Sequence, residues 1–306
     1  MYDFGHHSSL MMEARASAAQ DEPIFKLYHY NPTIAGAIIF VVLFVGTTGF
    51  HFYQLSRSRC WFMIPFALGG ILELIGYAAR ARSGQESPDW TLVPYIIQAL
   101  LILVAPALFA ATIYMELGRI VTLIDGEDLT LIRKAWMTKL FVCGDILSFM
   151  VQSSGGGLQA TGGASMMTTG ANITVAGLFI QLLFFGLFIV VAVAFYVKVC
   201  QYPTASSHKV AWKKHMVALF IASLLIMVRS VFRVAEYLQG FDGYLLSHEA
   251  YLYGFDALLM WLTMVLLNWI HPAEILALRL RHIRKQADYV MDDVPSGHHR
   301  LRSDLA

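Results

Sequence analysis

The chain has 306 residues, of which 57% are hydrophobic and only 14% are charged. Ordinary soluble domains carry about 25% charged residues, so this composition excludes a conventional soluble protein. The formal net charge of +1 argues against a nucleic-acid partner, because such partners select strongly basic surfaces.

Seven apolar segments follow one another along the chain, and each is long enough to cross the roughly 30 Å hydrocarbon core as a helix. They cover residues 33–55, 61–80, 91–117, 138–159, 172–198, 214–237 and 251–270. The sequence therefore predicts an all-α polytopic membrane protein with a seven-transmembrane-helix bundle. The predicted parts are an extracellular N-terminal segment (1–32), the transmembrane domain (33–271) and a partly disordered cytosolic tail (272–306).

The distribution of Lys and Arg predicts the orientation, since cytoplasmic loops are enriched in both. The loops after the first, third and fifth segments and the C-terminal tail carry sixteen of them, whereas the other side carries four. We therefore expect the N-terminus outside and the C-terminus in the cytosol.

The sixth segment carries a charged stripe, Arg229, Arg233 and Glu236, within an arc of about 60° on one helix face. An arginine near mid-membrane costs about 2.5–3.5 kcal/mol on insertion scales, so it needs a partner or a hydrated cavity. Two more carboxylates, Glu73 and Asp256, are expected at similar depth. The uncharged polar residues expected there are Gln98, Gln152 and Gln181. We predict a shared polar core.

The fourth segment repeats polar and small residues at helical spacing, and it contains three consecutive glycines. The stripe comprises Asp145, Ser148, Gln152, Gly155 and Gln159. Two interpretations remain open: tight packing between helices through small residues, or close approach of a ligand.

Two local irregularities are also predicted. Pro106 should kink the third helix and free backbone carbonyls for a polar interior. The run ATGGASMMTTGAN, residues 160–172, predicts a flexible loop because it is rich in Gly, Ser and Thr.

Several stretches, in this order, resemble the fungal RTA-like family of lipid-translocating exporters. They are GGILELIGYAAR (69–80), QALLILVAPALFAATIYMELGR (98–119), FVCGDILSFMVQSSGGGLQA (141–160), RSVFRVAEYLQG (229–240), SHEAYLYGFDALLM (247–260) and HP (271–272). The resemblance implies a seven-helix plasma-membrane protein linked to release of sphingoid long-chain bases and to resistance to toxic amphiphiles. The matching polar positions are Glu73, Arg80, Gln98, Arg119, Asp145, Gln152, Arg229, Arg233, Glu236, Glu249 and Asp256.

The predicted function is that of a floppase-like exporter of sphingoid bases or related amphiphiles. The candidate substrate-binding residues are Glu73, Gln98, Asp145, Gln152, Gln181, Arg229, Arg233, Glu236 and Asp256. No cofactor is expected, and no ATP-binding sequence is present, so transport would be downhill, coupled to protons or driven by a partner. The basic stretch 279–285 is expected to contact anionic lipids of the inner leaflet.

Two other classes of protein stay open at this point. One is a metal-dependent lipid hydrolase, whose metal-ligating residues would be His51, Asp145 and His271. The other is a seven-helix lipid sensor or receptor, although the third segment ends in MELGRI and the seventh lacks an Asn-Pro-x-x-Tyr sequence.

Overall fold

The computed structural model describes residues 32–87, 90–159, 164–208, 210–240, 243–275 and 277–278. The predicted extracellular segment, except for residue 32, lies outside the described residues. So do the basic stretch 279–285 and most of the predicted tail.

Long helices account for most of the described chain. The first six are α1 (Ile34–Ser58), α2 (Ile64–Gln85), α3 (Leu92–Leu123), α4 (Lys134–Gln159), α5 (Ala164–Gln201) and α6 (Trp212–Leu238). The last, α7, joins three consecutive pieces, Glu249–Leu252, Tyr253–Ala257 and Leu258–Trp269, of which the middle one is π-helical. No strand occurs among these described residues, and the predicted all-α class is confirmed.

Six of these helices are long and apolar enough to cross a membrane. Helix α4 is not among them, since Lys134, Lys139 and Asp145 combine there with a run of serines and glycines. The chain is thus a multi-pass membrane protein. The count of seven spans and the external N-terminus stay predictions.

The helices form a closed bundle in which neighbours in sequence are neighbours in space, and α7 returns to pack against α1. Helix α3 is central, because it contacts α2, α4, α5 and α6. Apolar side chains cover the outside: Val42 on α1 is 63% exposed, and Leu183 on α5 is 71% exposed. Such exposure suits a lipid environment, in which large apolar side chains carry no cost.

We name the two ends of the bundle after residues found there. The Arg80 end contains the C-termini of α2, α4 and α6 and the N-termini of α1, α3, α5 and α7. The His271 end contains the opposite termini. The Arg80 end is the one that the charge distribution predicts to be outside.

The predicted loop 160–172 is wrong in extent. Helix α5 already begins at Ala164, and only residues 160–163 fall outside the described part of this connection. Small residues here permit close packing on α4, and that packing outweighs their poor intrinsic helix propensity. A glycine-rich stretch in a membrane protein therefore predicts helix contact as well as a loop.

Candidate functional site

Arg229, on α6, is a buried charged residue that contacts two other helices. Its Nε forms an ion pair with Asp256 Oδ1 on α7, and both side chains are almost completely buried. Its Nη2 donates a hydrogen bond to the carbonyl oxygen of Ile102 on α3, at 2.9 Å. Because Pro106 has no N–H, this carbonyl lacks its usual helical donor four residues later. The predicted use of a freed carbonyl is confirmed, and one arginine thereby links three helices.

The π-helical segment Tyr253–Ala257 determines where Asp256 lies. A π-bulge inserts an extra residue into the turn, which redirects the side chains around it, and such bulges are frequent at functional sites. Arg229 Nη1 and Asp256 Oδ2 nevertheless have no hydrogen-bond partner. The pair is therefore incompletely satisfied, although it is buried.

A second ion pair lies one turn further along α6. Arg233 Nη1 donates to Glu236 Oε2 at 2.7 Å, and the Arg233 guanidinium lies 5.6 Å from the centre of the Tyr237 ring. The Arg233 side chain keeps 11% exposure, whereas Glu236 keeps 3%. Arg233 Nε has no hydrogen-bond partner, so this arginine has unused donor capacity.

Glu73 on α2 completes the charge cluster, which we define as Glu73, Arg229, Arg233, Glu236 and Asp256. It is fully buried, and neither of its carboxylate oxygens has a hydrogen-bond partner. Asp256, Arg229 and Arg233 are the charged groups that interact with it electrostatically. The structure thus brings together all five charged residues predicted for the polar core.

Glu236 is the member of the charge cluster that lines a small cavity at the Arg80 end. The cavity measures about 60 Å³ and is bounded by α3, α4, α5, α6 and the segment that follows α6. Its lining residues are Tyr95, Gln159, Ala171, Glu236, Tyr237, Gly240 and Leu246. One water molecule needs about 10–15 Å³ of such a cavity, so the space is large enough for a small polar headgroup but not for a hydrocarbon chain as well.

Arg80 and Glu249 fasten this end of the bundle. Arg80 Nη2 lies 2.7 Å from Glu249 Oε1, and Arg80 Nε donates to the Tyr253 hydroxyl at 3.1 Å. Glu249 also accepts hydrogen bonds from the backbone N–H and the hydroxyl of Thr33, just before α1. The N-termini of α1 and α7 are thereby tied to the end of α2.

The polar residues of α4 make contacts of a different kind. Asp145 accepts a hydrogen bond from the Tyr114 hydroxyl on α3 at 3.0 Å. Gln152 donates to Gln181 Oε1 on α5 at 3.2 Å and to Ser148 Oγ at 3.4 Å. The predicted single polar core is thus divided, because these hydrogen bonds stay among α3, α4 and α5.

Glycines complete this second region, which we call the α4–α5 seam. A Cβ on Gly155 would lie 2.6 Å from the Gly170 carbonyl oxygen, and a Cβ on Gly177 would lie 2.9 Å from the Gln152 nitrogen. The two backbones therefore approach closely at small residues, as membrane helices commonly do. Of the two interpretations of the α4 stripe, these contacts favour helix packing as far as Gly155, whereas Gln159, at the end of the stripe, lines the cavity.

The remaining candidates are distributed over the bundle. Gln98 is buried on α3, one turn before Ile102. His51 lies 3.1 Å from the Met264 carbonyl oxygen, and His271 accepts from the Ala273 N–H. Within the described ranges, no three His, Cys, Asp or Glu side chains are grouped to hold a metal. The alternative set of His51, Asp145 and His271 is therefore not assembled.

Sequence reasoning missed the aromatic part of the site. Tyr95 and Tyr237 line the cavity beside Glu236, but the two residues are far apart in the sequence. The sequence could have indicated this proximity through the predicted depth of the two residues in the membrane. Tyr95 is near the start of α3 and Tyr237 is near the end of α6, and these two helix termini lie at the same end of the bundle, the Arg80 end.

Comparison with known proteins identifies several relatives of this chain. "Protoporphyrin uptake protein 1" of Saccharomyces cerevisiae is 39% identical over 279 residues, which cover 79% of this chain and 90% of the relative. "Protein RTA1" of the same organism is 38% identical over 270 residues, covering 79% and 83%. "Sphingoid long-chain base transporter RSB1", also from Saccharomyces cerevisiae, is 27% identical over 276 residues, covering 79% and 72%.

No solved structure matches this chain. The family comparison matches residues 66–279, a range that includes all five residues of the charge cluster. The chain belongs to the RTA1-like protein family.

Proposed function

We propose that this protein is a plasma-membrane transporter that moves cationic amphiphiles, of the sphingoid long-chain base type, out of the inner leaflet. The observation that carries the proposal is Glu236, a buried carboxylate in the wall of a cavity that also contains two tyrosines and an amide. This set of groups is complementary to an amine that bears hydroxyl groups.

The chemistry of a sphingoid base fits each part of the cavity. Its ammonium pairs with the Glu236 carboxylate, and a charge-assisted bond of this kind is worth about 1.5–3 kcal/mol. Tyr95 and Tyr237 offer aromatic faces, which attract cations. The Gln159 amide bonds the hydroxyls, and the hydrocarbon tail stays among the lipid-facing side chains.

The relatives support the class of substrate. One is named as a transporter of sphingoid long-chain bases and another as a protoporphyrin uptake protein, so lipid-like amphiphiles are common to both names. Protoporphyrin carries carboxylates, which the Glu236 carboxylate would repel. The cavity therefore favours the cationic substrate.

Reconstitution tests this function. Purified protein in liposomes receives a fluorescent sphingoid base, and leaflet exchange and headgroup cleavage are scored together. We expect exchange without cleavage, a large loss in Glu236→Gln, and little competition from protoporphyrin. The surface variant Glu127→Gln is the matched control, because Glu127 is 57% exposed and pairs only with Lys134 among the described residues.

Other outcomes would replace the proposal. Cleavage of the base would establish a hydrolase, and binding without exchange would establish a lipid sensor. Exchange that is equally fast in wild type and Glu236→Gln would show that the cavity does not bind the transported base.

The orientation has its own test. We propose that the Arg80 end faces outside, in accordance with the Lys and Arg distribution. An epitope before Tyr2 should be reachable on intact cells, and one after Ala306 only after permeabilisation. Tags that report the same side would refute the seven-span topology.

A further inference from the structure

The charge cluster contains an excess of acid over base. Arg229 and Arg233 are the two cations, and arginine is always protonated in proteins. Glu73, Glu236 and Asp256 are three carboxyl groups. If all five groups were ionised, a net negative charge would lie buried in the bundle.

The contacts identify which carboxyl group is in excess. Asp256 pairs with Arg229, and Glu236 pairs with Arg233. Glu73 has no ion pair and no hydrogen bond, and its side chain is fully buried. An isolated carboxylate in a medium of low dielectric constant is so costly that the group takes up a proton instead. Glu73 is therefore the neutral member of the cluster.

We infer that Glu73 is a proton-binding site whose proton is exchanged for the cation of the transported amphiphile. The inference rests on the proposed function, and it supplies the energy source for it. The charged groups facing Glu73 are Arg229 and Arg233 from α6 and Asp256 from α7. Tyr77, one turn away on α2, is a neutral titratable group whose electrostatic partners include Glu73.

Arg233 connects the cavity with Glu73. It is paired with Glu236, it interacts electrostatically with Glu73, and its Nε has no hydrogen-bond partner. When an ammonium binds Glu236, Arg233 loses part of its attraction to that carboxylate and becomes available to Glu73. The Glu73 O–H bond then breaks, the carboxylate pairs with Arg233, and the proton leaves for the solvent.

The exchange is electroneutral, because one positive charge enters the cluster as an ammonium and one leaves as a proton. Transport should therefore be driven by a pH gradient and should not respond to a membrane potential. Substitution of Glu73 by Gln removes the exchangeable proton. The cation would then move without a counter-ion, so its movement would become sensitive to potential and insensitive to the pH gradient.

The experiment uses proteoliposomes and a fluorescent sphingoid base with a trimethylated amine, which has a fixed charge and cannot cross as a free amine. A pH gradient is imposed at zero potential and, separately, a potassium diffusion potential at equal pH. Wild type and Glu127→Gln should accumulate the probe in an acidic lumen and ignore the potential. Glu73→Gln should show the reverse. A Glu73→Gln response to pH equal to that of wild type would overturn the inference.

A second measurement tests the proton site without relying on transport. It is needed if Glu73→Gln does not transport the probe, or if wild type does not transport it either. The infrared carboxylic-acid C=O band of purified wild type should include a component that Glu73→Asp shifts in frequency. An unshifted band would overturn the proton site. If Glu73→Asp shifts the band and wild type exchanges neither this probe nor the unmethylated fluorescent base, the proton site is retained and the proposed function is rejected.

Discussion

Two polar regions lie inside this bundle, and they differ in how well their polar groups are satisfied. In the α4–α5 seam, neutral amides bond to each other across helices whose backbones touch at glycines. In the charge cluster, two arginines and three carboxyl groups leave several buried atoms without partners, among them both oxygens of Glu73. In the seam Asp145 Oδ1 and Gln152 Oε1 also lack a partner, but each of these two side chains makes a hydrogen bond through its other polar atom. Glu73, in the cluster, makes none.

This difference shows what a polar residue in an apolar segment signifies. Gln152 and Glu73 both interrupt membrane helices, and the sequence alone places both in a polar core. Only the contacts distinguish them, because Gln152 has a neutral partner and Glu73 has none. A buried ionisable group that makes no hydrogen bond, rather than polarity itself, marks the candidate site.

The largest effect is expected at the Arg229–Asp256 pair. Arg229→Leu leaves Asp256 as an unpaired buried charge and also removes the donor to the Ile102 carbonyl. Loss of one partner of a buried pair costs about 3–5 kcal/mol, so folded yield and melting temperature in detergent should fall sharply. The double variant Arg229→Leu/Asp256→Leu should recover part of both. A single variant as stable as wild type would show that the pair contributes nothing to folding.

A smaller effect is expected at the glycines of the seam. Gly155→Ala places a methyl group 2.6 Å from the Gly170 carbonyl oxygen and should destabilise by about 1–3 kcal/mol, as overpacking does. Gly156→Ala is the matched control, because nothing lies within 4 Å of its Cβ position. Helix propensity alone should make this control about 1 kcal/mol more stable. Equal melting temperatures for Gly155→Ala and Gly156→Ala would contradict close packing at Gly155.

The smallest effect is expected for the amide pair of the seam. A double-mutant cycle on Gln152→Leu and Gln181→Leu should give a coupling energy of about 0.6 kcal/mol, the average for hydrogen bonds between membrane helices. Denaturant titration in mixed micelles measures it. A coupling several times larger would mean that the seam depends on this bond in the way that the cluster depends on its ion pairs.

Much of the fold is readable from the sequence because apolar length and helical periodicity are local properties. The predicted segments 33–55 and 214–237 match Ile34–Ser58 and Trp212–Leu238 within three residues at each end. Pro106 is equally local, since a proline removes a known donor at a known position.

The site was less predictable, because pairing depends on the depth and rotation of each helix. The sequence left open which carboxylate pairs with which arginine, and in the structure Arg233 bonds Glu236, three residues away on its own helix. The π-helical turn that determines the position of Asp256 has no simple sequence signature. The division between cluster and seam depends on both effects.

The central claim is that the charge cluster binds the substrate and that the seam only holds helices together. The most direct test compares the rate of sphingoid-base exchange, per folded molecule in liposomes, for Glu236→Gln and for Gln152→Leu/Gln181→Leu. A lost charge-assisted bond of about 1.5–3 kcal/mol predicts a decrease of about tenfold or more in Glu236→Gln. The seam variant should retain a rate close to that of wild type. A normal rate in Glu236→Gln, together with a large loss in the seam variant, would contradict the account.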